Sequence, residues 1–155
     1  MKVKTTELKQ MIYGGPEGLL YFETDREDGF EIAIINIRGS HPCAYVNVPK
    51  TFRDKFGDPI LDYDAWFADG AHGGFTYAGK ELRTKDFKRE GFWLGWDYAH
   101  AGDYTCLVDM YGNVINYNPI RDSERKYTTE EILEHAYEVI NMLDYDEEAY
   151  NLYYR

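Results

Sequence analysis

Apolar and polar residues alternate along the first third of the chain in a way that predicts strands. Leu19 to Thr24 reads as one, followed by a charged turn over Asp25 to Gly29. Phe30 to Arg38 is rich in isoleucine and partly alternating, and Gly39-Ser40-His41-Pro42 breaks it. Cys43 to Val48 is the next strand, closed by Pro49. Ahead of these, residues 3–12 predict a short helix with Leu8, Met11 and Ile12 on one face, stopped by Gly14-Gly15-Pro16.

Residues 49–71 carry no clear period. Their prolines, glycine and acids (Asp54, Asp58, Asp62, Asp64, Asp69) predict a long irregular connection, a feature often tied to function. A short strand is expected over Gly74 to Ala78 and an exposed charged loop over 79–90. Gly91 to Asp97 holds Phe92, Trp93, Leu94 and Trp96 and reads as a central strand. Residues 107–117, with Gly112-Asn113 in the middle, predict a hairpin or short turn. Thr128-Thr129-Glu130-Glu131 is a capping-box sequence. Ile132, Ala136, Val139, Ile140 and Leu143 follow at helical spacing, which predicts a helix over 129–143. Together these elements define an α+β fold: a mostly antiparallel sheet of five or more strands, with the C-terminal amphipathic helix packed on one face.

The 155 residues are read as one domain: an N-terminal part (1–42), a core that bears the motifs (43–145) and an acidic, tyrosine-rich tail (146–155). Aromatics make up 17% of the chain, 15 of them tyrosine, which suits strands and also ligand walls. The formal charge of −11 excludes direct binding to nucleic-acid backbones or anionic membranes, because no run of Lys and Arg offsets it. Cys43 and Cys106 form no CxxC pair and read as small buried hydrophobes in a reducing compartment, with a single disulfide left open. The N-terminus lacks the apolar run of a secretory leader, and no stretch approaches bilayer-spanning length. Both features predict a cytoplasmic protein.

Two segments stand out chemically. His72-Gly73-Gly74-Phe75-Thr76 precedes a strand. Its glycines let another backbone or a ligand approach closely, and their amides can bind anions. Asp97-Tyr98-Ala99-His100-Ala101-Gly102-Asp103 follows the apolar strand, where rigid scaffolds present reactive groups. A carboxylate beside an imidazole sets its tautomer and raises its basicity. His72, Asp97, His100 and Asp103 are therefore the candidate catalytic residues. Gly73, Gly74, Thr76, Tyr77, Trp96, Tyr98 and Gly102 are the candidate ligand-binding residues. The simpler reading of each segment is a tight turn capped by its own polar side chains. A divalent metal is chemically compatible with the His and Asp set, but the spacing matches no standard zinc framework. His41 and His135 read as structural residues.

The order of Ala44-Tyr45-Val46-Asn47-Val48-Pro49-Lys50, then Asp62-Tyr63-Asp64, then His72-Gly73-Gly74-Phe75-Thr76-Tyr77, then Trp93 to Asp103 resembles a family of small phage and prophage proteins. Their pattern runs as a YVxVP strand, an acidic loop, an HGGLT segment, a GFDxAHxGD segment and a helix. The resemblance covers about residues 43–145. The chain departs from it at Phe75, Trp96 and Tyr98. It implies that His72, Gly73, Gly74, Thr76, Asp97, His100, Gly102 and Asp103 are signature positions, and that the setting is a phage accessory gene that blunts host defence. It supplies no activity.

From these residues the chain is expected to bind a small anionic, nucleotide-like ligand. The Gly73 and Gly74 amides would hold phosphate, and Tyr77, Trp96 and Tyr98 would stack on a base. If the ligand is hydrolysed, His100 would be the general acid or base, oriented by Asp97 or Asp103. Hydrolysis and sequestration both stay open. The alternative is an acidic interaction protein that fills the basic groove of a host nucleic-acid-binding enzyme, using the 54–69 acids and the tail.

Overall fold

The structure, a computed structural model, describes residues 18–25, 29–37, 40–56, 71–85, 87–106, 109–111 and 124–145. Along these residues run β1 (Gly18–Glu23), β2 (Glu31–Ile37), β3 (His41–Asn47), α1 (Lys50–Phe56), β4 (Tyr77–Arg83), β5 (Lys88–Asp97) and α2 (Thr129–Tyr145). The strands form one antiparallel sheet in the order β1-β2-β3-β5-β4, with α2 packed against it, so the fold is α+β.

The period of two along the strands divides their side chains between two faces. Phe30, Ile32, Ile34, Ala44, Val46, Phe92, Leu94 and Trp96 face α2. There they meet Ile132, Ala136, Val139, Ile140 and Leu143, the stripe read from the sequence, all buried. Ala33, Ile35, Leu82 and Trp93 form a second cluster on the other face. The same face buries the Glu31 carboxylate, which accepts from Tyr21 Oη, Asn47 Nδ2 (2.6 Å) and Arg89 Nε (2.8 Å). A buried carboxylate is tolerated only with such partners. Burial alone would raise the Glu31 pKa, but the Arg89, Tyr21 and Asn47 hydrogen bonds outweigh it and hold the group below its ordinary range.

Helix α2 begins as the capping box requires. The Glu131 amide donates to Thr128 Oγ1 (3.2 Å), and the Glu131 carboxylate accepts from the Thr128 amide (3.1 Å).

Two sequence expectations need correction. The stretch 49–71 is not irregular throughout. Lys50–Phe56 is helical, with Phe52 buried and Lys50 paired to Asp54 one turn on (3.0 Å). Residues 79–90 are not an exposed loop. They are mostly the β4–β5 hairpin, closed by a bond from the Thr84 amide to the Phe87 carbonyl (2.8 Å). β4 lies at the sheet edge, so Lys80 and Arg83 reach water while Leu82 is buried. Cys43 and Cys106 are both buried, free thiols, and burial pushes the Cys43 thiol up to about 12. The expected N-terminal helix (3–12), the bulk of the acidic 54–69 stretch, most of the 107–117 hairpin and the 146–155 tail lie outside the described residues. None of the described helices is long and apolar enough to cross a membrane.

The topology positions the site. β4 runs antiparallel to β5, with Tyr77 opposite Gly95, so the residues just before β4 fall beside those just after β5. β3 also runs antiparallel to β5, with Cys43 opposite Asp97, so His41 starts its strand at the same end.

Candidate functional site

The loop after β5 is a turn locked by its own aspartates. Asp97 Oδ1 accepts from the Ala99 amide (3.1 Å), and Asp97 Oδ2 accepts from Thr76 Oγ1 (3.2 Å). Asp103 Oδ2 accepts from the His100 amide (2.9 Å), while the Asp103 amide donates to the His100 carbonyl (2.9 Å). The turn is then tied to the segment before α2. The Arg125 amide donates to the Gly102 carbonyl (2.7 Å), and the Tyr104 amide donates to the Arg125 carbonyl (3.0 Å).

The HGG segment meets this turn directly, with the His72 and His100 ring centroids 5.5 Å apart. Gly73 makes the fit possible. Its φ is +74°, and a Cβ there would lie 2.6 Å from Cδ2 and 2.7 Å from Cε1 of His100. Only glycine satisfies both constraints.

Two His–Asp pairs result, and they cross between the segments in part. His72 Nε2 lies 2.8 Å from both oxygens of Asp103, whose side chain is 3% exposed. A carboxylate only accepts, so Nε2 carries a proton, and in the neutral ring Nδ1 is the nitrogen with the lone pair. Nδ1 has no hydrogen-bond partner among the described residues and is not sealed from solvent. His100 Nε2 lies 3.3 Å from Asp97 Oδ1. This is an ion-pair distance without hydrogen-bond geometry, and the atom is buried. Asp103 thus orients His72, and it reaches His100 only through the backbone.

His72 packs in a cluster with two tyrosines that also touch each other. Its ring is parallel to Tyr98 (4.9 Å, 5°), and Tyr127 packs against it at 4.8 Å. His135, on α2, is also parallel to it at 6.5 Å. Tyr98 Oη lies 2.8 Å from His135 Nδ1 and accepts from Trp96 Nε1 (3.0 Å). His41 belongs to the same region. Burial pushes its pKa down, while Asp97 and Asp103 pull it up and His100 lowers it. All four histidines of the chain therefore lie at this end of the sheet. Sequence reasoning set His41 and His135 aside. The available signal for His135 was its place beside Ile132, Ala136 and Val139, on the border of the apolar stripe.

Several expected roles change. Trp96 and Tyr98 are 1% and 0% exposed, so neither can offer a face to a base. They are the floor of the site, not its wall. Tyr77 turns away. Its ring packs on Tyr45 (5.7 Å), and its hydroxyl donates to the Glu81 carbonyl (2.6 Å). There it lines an open groove of about 710 Å³ with Arg53, Lys80, Glu81, Glu90 and Gly91. The Gly74 amide donates to the Ala71 carbonyl (2.8 Å) and is used within the turn. Thr76 holds Asp97. Among the described residues no three His, Cys, Asp or Glu side chains are grouped to hold a metal ion.

Comparisons with protein-family models, with curated proteins and with solved structures return no match to this chain.

Proposed function

We propose that this end of the sheet binds a small anionic, nucleotide-like ligand and that His72 is its acid–base group. The observation that carries the reading is the His72 imidazole. A nearly buried Asp103 bonds one nitrogen and the other is open, which is how a histidine is set to take a proton from a bound reactant. Gly73 is exposed, its amide is the donor for an anion in this reading, and the residue sits against His100. The general-base role first read for His100 passes to His72, because Asp103 bonds the His72 ring and only the His100 backbone. In the phage setting that the resemblance implies, the ligand is a nucleotide-derived immune signal and the chain is a counter-defence protein.

Incubation of the full chain with a panel of mono-, di- and cyclic nucleotides tests this, with and without magnesium or manganese, read by mass spectrometry. Conversion to product makes the chain an enzyme, and recovery of intact nucleotide after denaturation makes it a sequestering protein. Neither outcome across the panel overturns the reading.

A further inference from the structure

β4 is the last strand of the sheet, and no described strand pairs with its outer edge. The Thr84 amide donates to the Phe87 carbonyl at the end of the β4–β5 hairpin (2.8 Å). Residues of an antiparallel strand turn their main-chain groups alternately toward and away from the partner strand. With Thr84 and Leu82 turned to β5, Glu81 and Arg83 turn their amides and carbonyls to the outer edge. There the Tyr77 hydroxyl donates to the Glu81 carbonyl (2.6 Å). The ring can lie along the strand because residue 79 is glycine. A Cβ at Gly79 would stand 2.5 Å from Tyr77 Oη and 2.9 Å from Cζ. Tyr77 thus supplies, from within the chain, the hydrogen bond that an added strand would give to this edge.

The space beside this edge is the groove of about 710 Å³ on which Tyr77, Lys80, Glu81 and Glu90 open together, and none of the four histidines lines it. Lys80 and Glu90 are exposed, and neither has an ion-pair partner among the described residues. Glu81, by contrast, is engaged by Lys88 (3.6 Å). The register slips between Gly79 and Glu81, which leaves Lys80 with no residue directly opposite on β5. We propose that the outer edge of β4 is a docking site for an extended peptide of mixed charge. The peptide adds as a strand through the main chain of Glu81 and Arg83 and brings a carboxylate to Lys80 and a cation to Glu90. Tyr77 gates the site by holding the Glu81 carbonyl in the free chain. A second copy of the chain is the poorer occupant, because each copy brings a charge of −11. The proposal does not rest on the reading of the His72 end.

The probe is a capped octapeptide in which valine alternates with glutamate and lysine, titrated into the ¹⁵N-labelled full chain. The backbone amides of Glu81 and Arg83 should move downfield and exchange more slowly as the peptide adds. Tyr77→Phe removes the competing donor and should tighten binding about fivefold, the effect of one hydrogen bond. Gly79→Ala, which displaces the ring and leaves the hydroxyl in the chain, should act in the same direction. An octapeptide with serine in place of glutamate and lysine should bind more weakly, and added salt should narrow the difference. No response of the Glu81 and Arg83 amides in the wild type and in both variants overturns the docking site. Unchanged or weaker binding by both variants overturns the gate. Equal binding of the serine peptide overturns the charge reading. Self-association of Tyr77→Phe in sedimentation velocity, with no response to peptide, makes the occupant a second copy and overturns the peptide.

Discussion

The ring of His100 rests where a side chain at residue 73 would have to go. Gly73→Ala must therefore both hold a left-handed backbone and displace that ring. The backbone alone costs about 1–3 kcal/mol, so the urea midpoint should fall, and the His100 imidazole resonances should move. Unchanged resonances would contradict the close packing. The histidines also set a pH dependence. Burial pushes the pKa of His135 and of His41 below the ordinary 6.5, so the unfolded chain binds their protons first as pH falls. Stability is full above about pH 6.5 and declines below it, toward the folded-state values. Urea denaturation between pH 7.5 and 5 should show this decline, and His135→Gln should flatten part of it. An equal slope in the variant would contradict a buried neutral His135.

Helix α2 shows how a local signal becomes an element. Its capping box and apolar stripe were legible because both are written within 16 residues, from Thr128 to Leu143. Thr128→Ala should cost about 1 kcal/mol, measured as a lowered midpoint of denaturation. Burial raises the Glu131 pKa, but the Thr128 backbone and side-chain bonds and Arg125 outweigh it, so the net shift is downward. The contribution of that bond is present at neutral pH and lost in acid. β4 was misread for the opposite reason. Lys80, Glu81 and Arg83 suggest a loop by composition, yet on an edge strand Lys80 and Arg83 reach water and Glu81 pairs with Lys88 of the neighbouring strand. The meeting of His72 with the loop after β5 was legible because two polar, glycine-bearing segments flank apolar strands. That Asp103 bonds His72 and not the His100 ring depends on the turn geometry. The Tyr98–His135 bond joins residues 37 apart, and no local pattern encodes it.

At the scale of the molecule, antiparallel pairing gathers four histidines and two aspartates from β3, the segment before β4, the loop after β5 and α2 at one end of the sheet. The −11 charge has its own reading, a protein that fills a basic groove on a host enzyme. That role needs carboxylates and makes no use of an oriented His72. The two readings diverge at one side chain. The most direct measurement is native mass spectrometry of the full chain against the nucleotide panel, wild type beside His72→Ala, with folding of the variant checked by circular dichroism. The account predicts a nucleotide adduct or product with the wild type that is absent, or at least tenfold weaker, with the variant. Equal adducts with both proteins, or none with either, would contradict it.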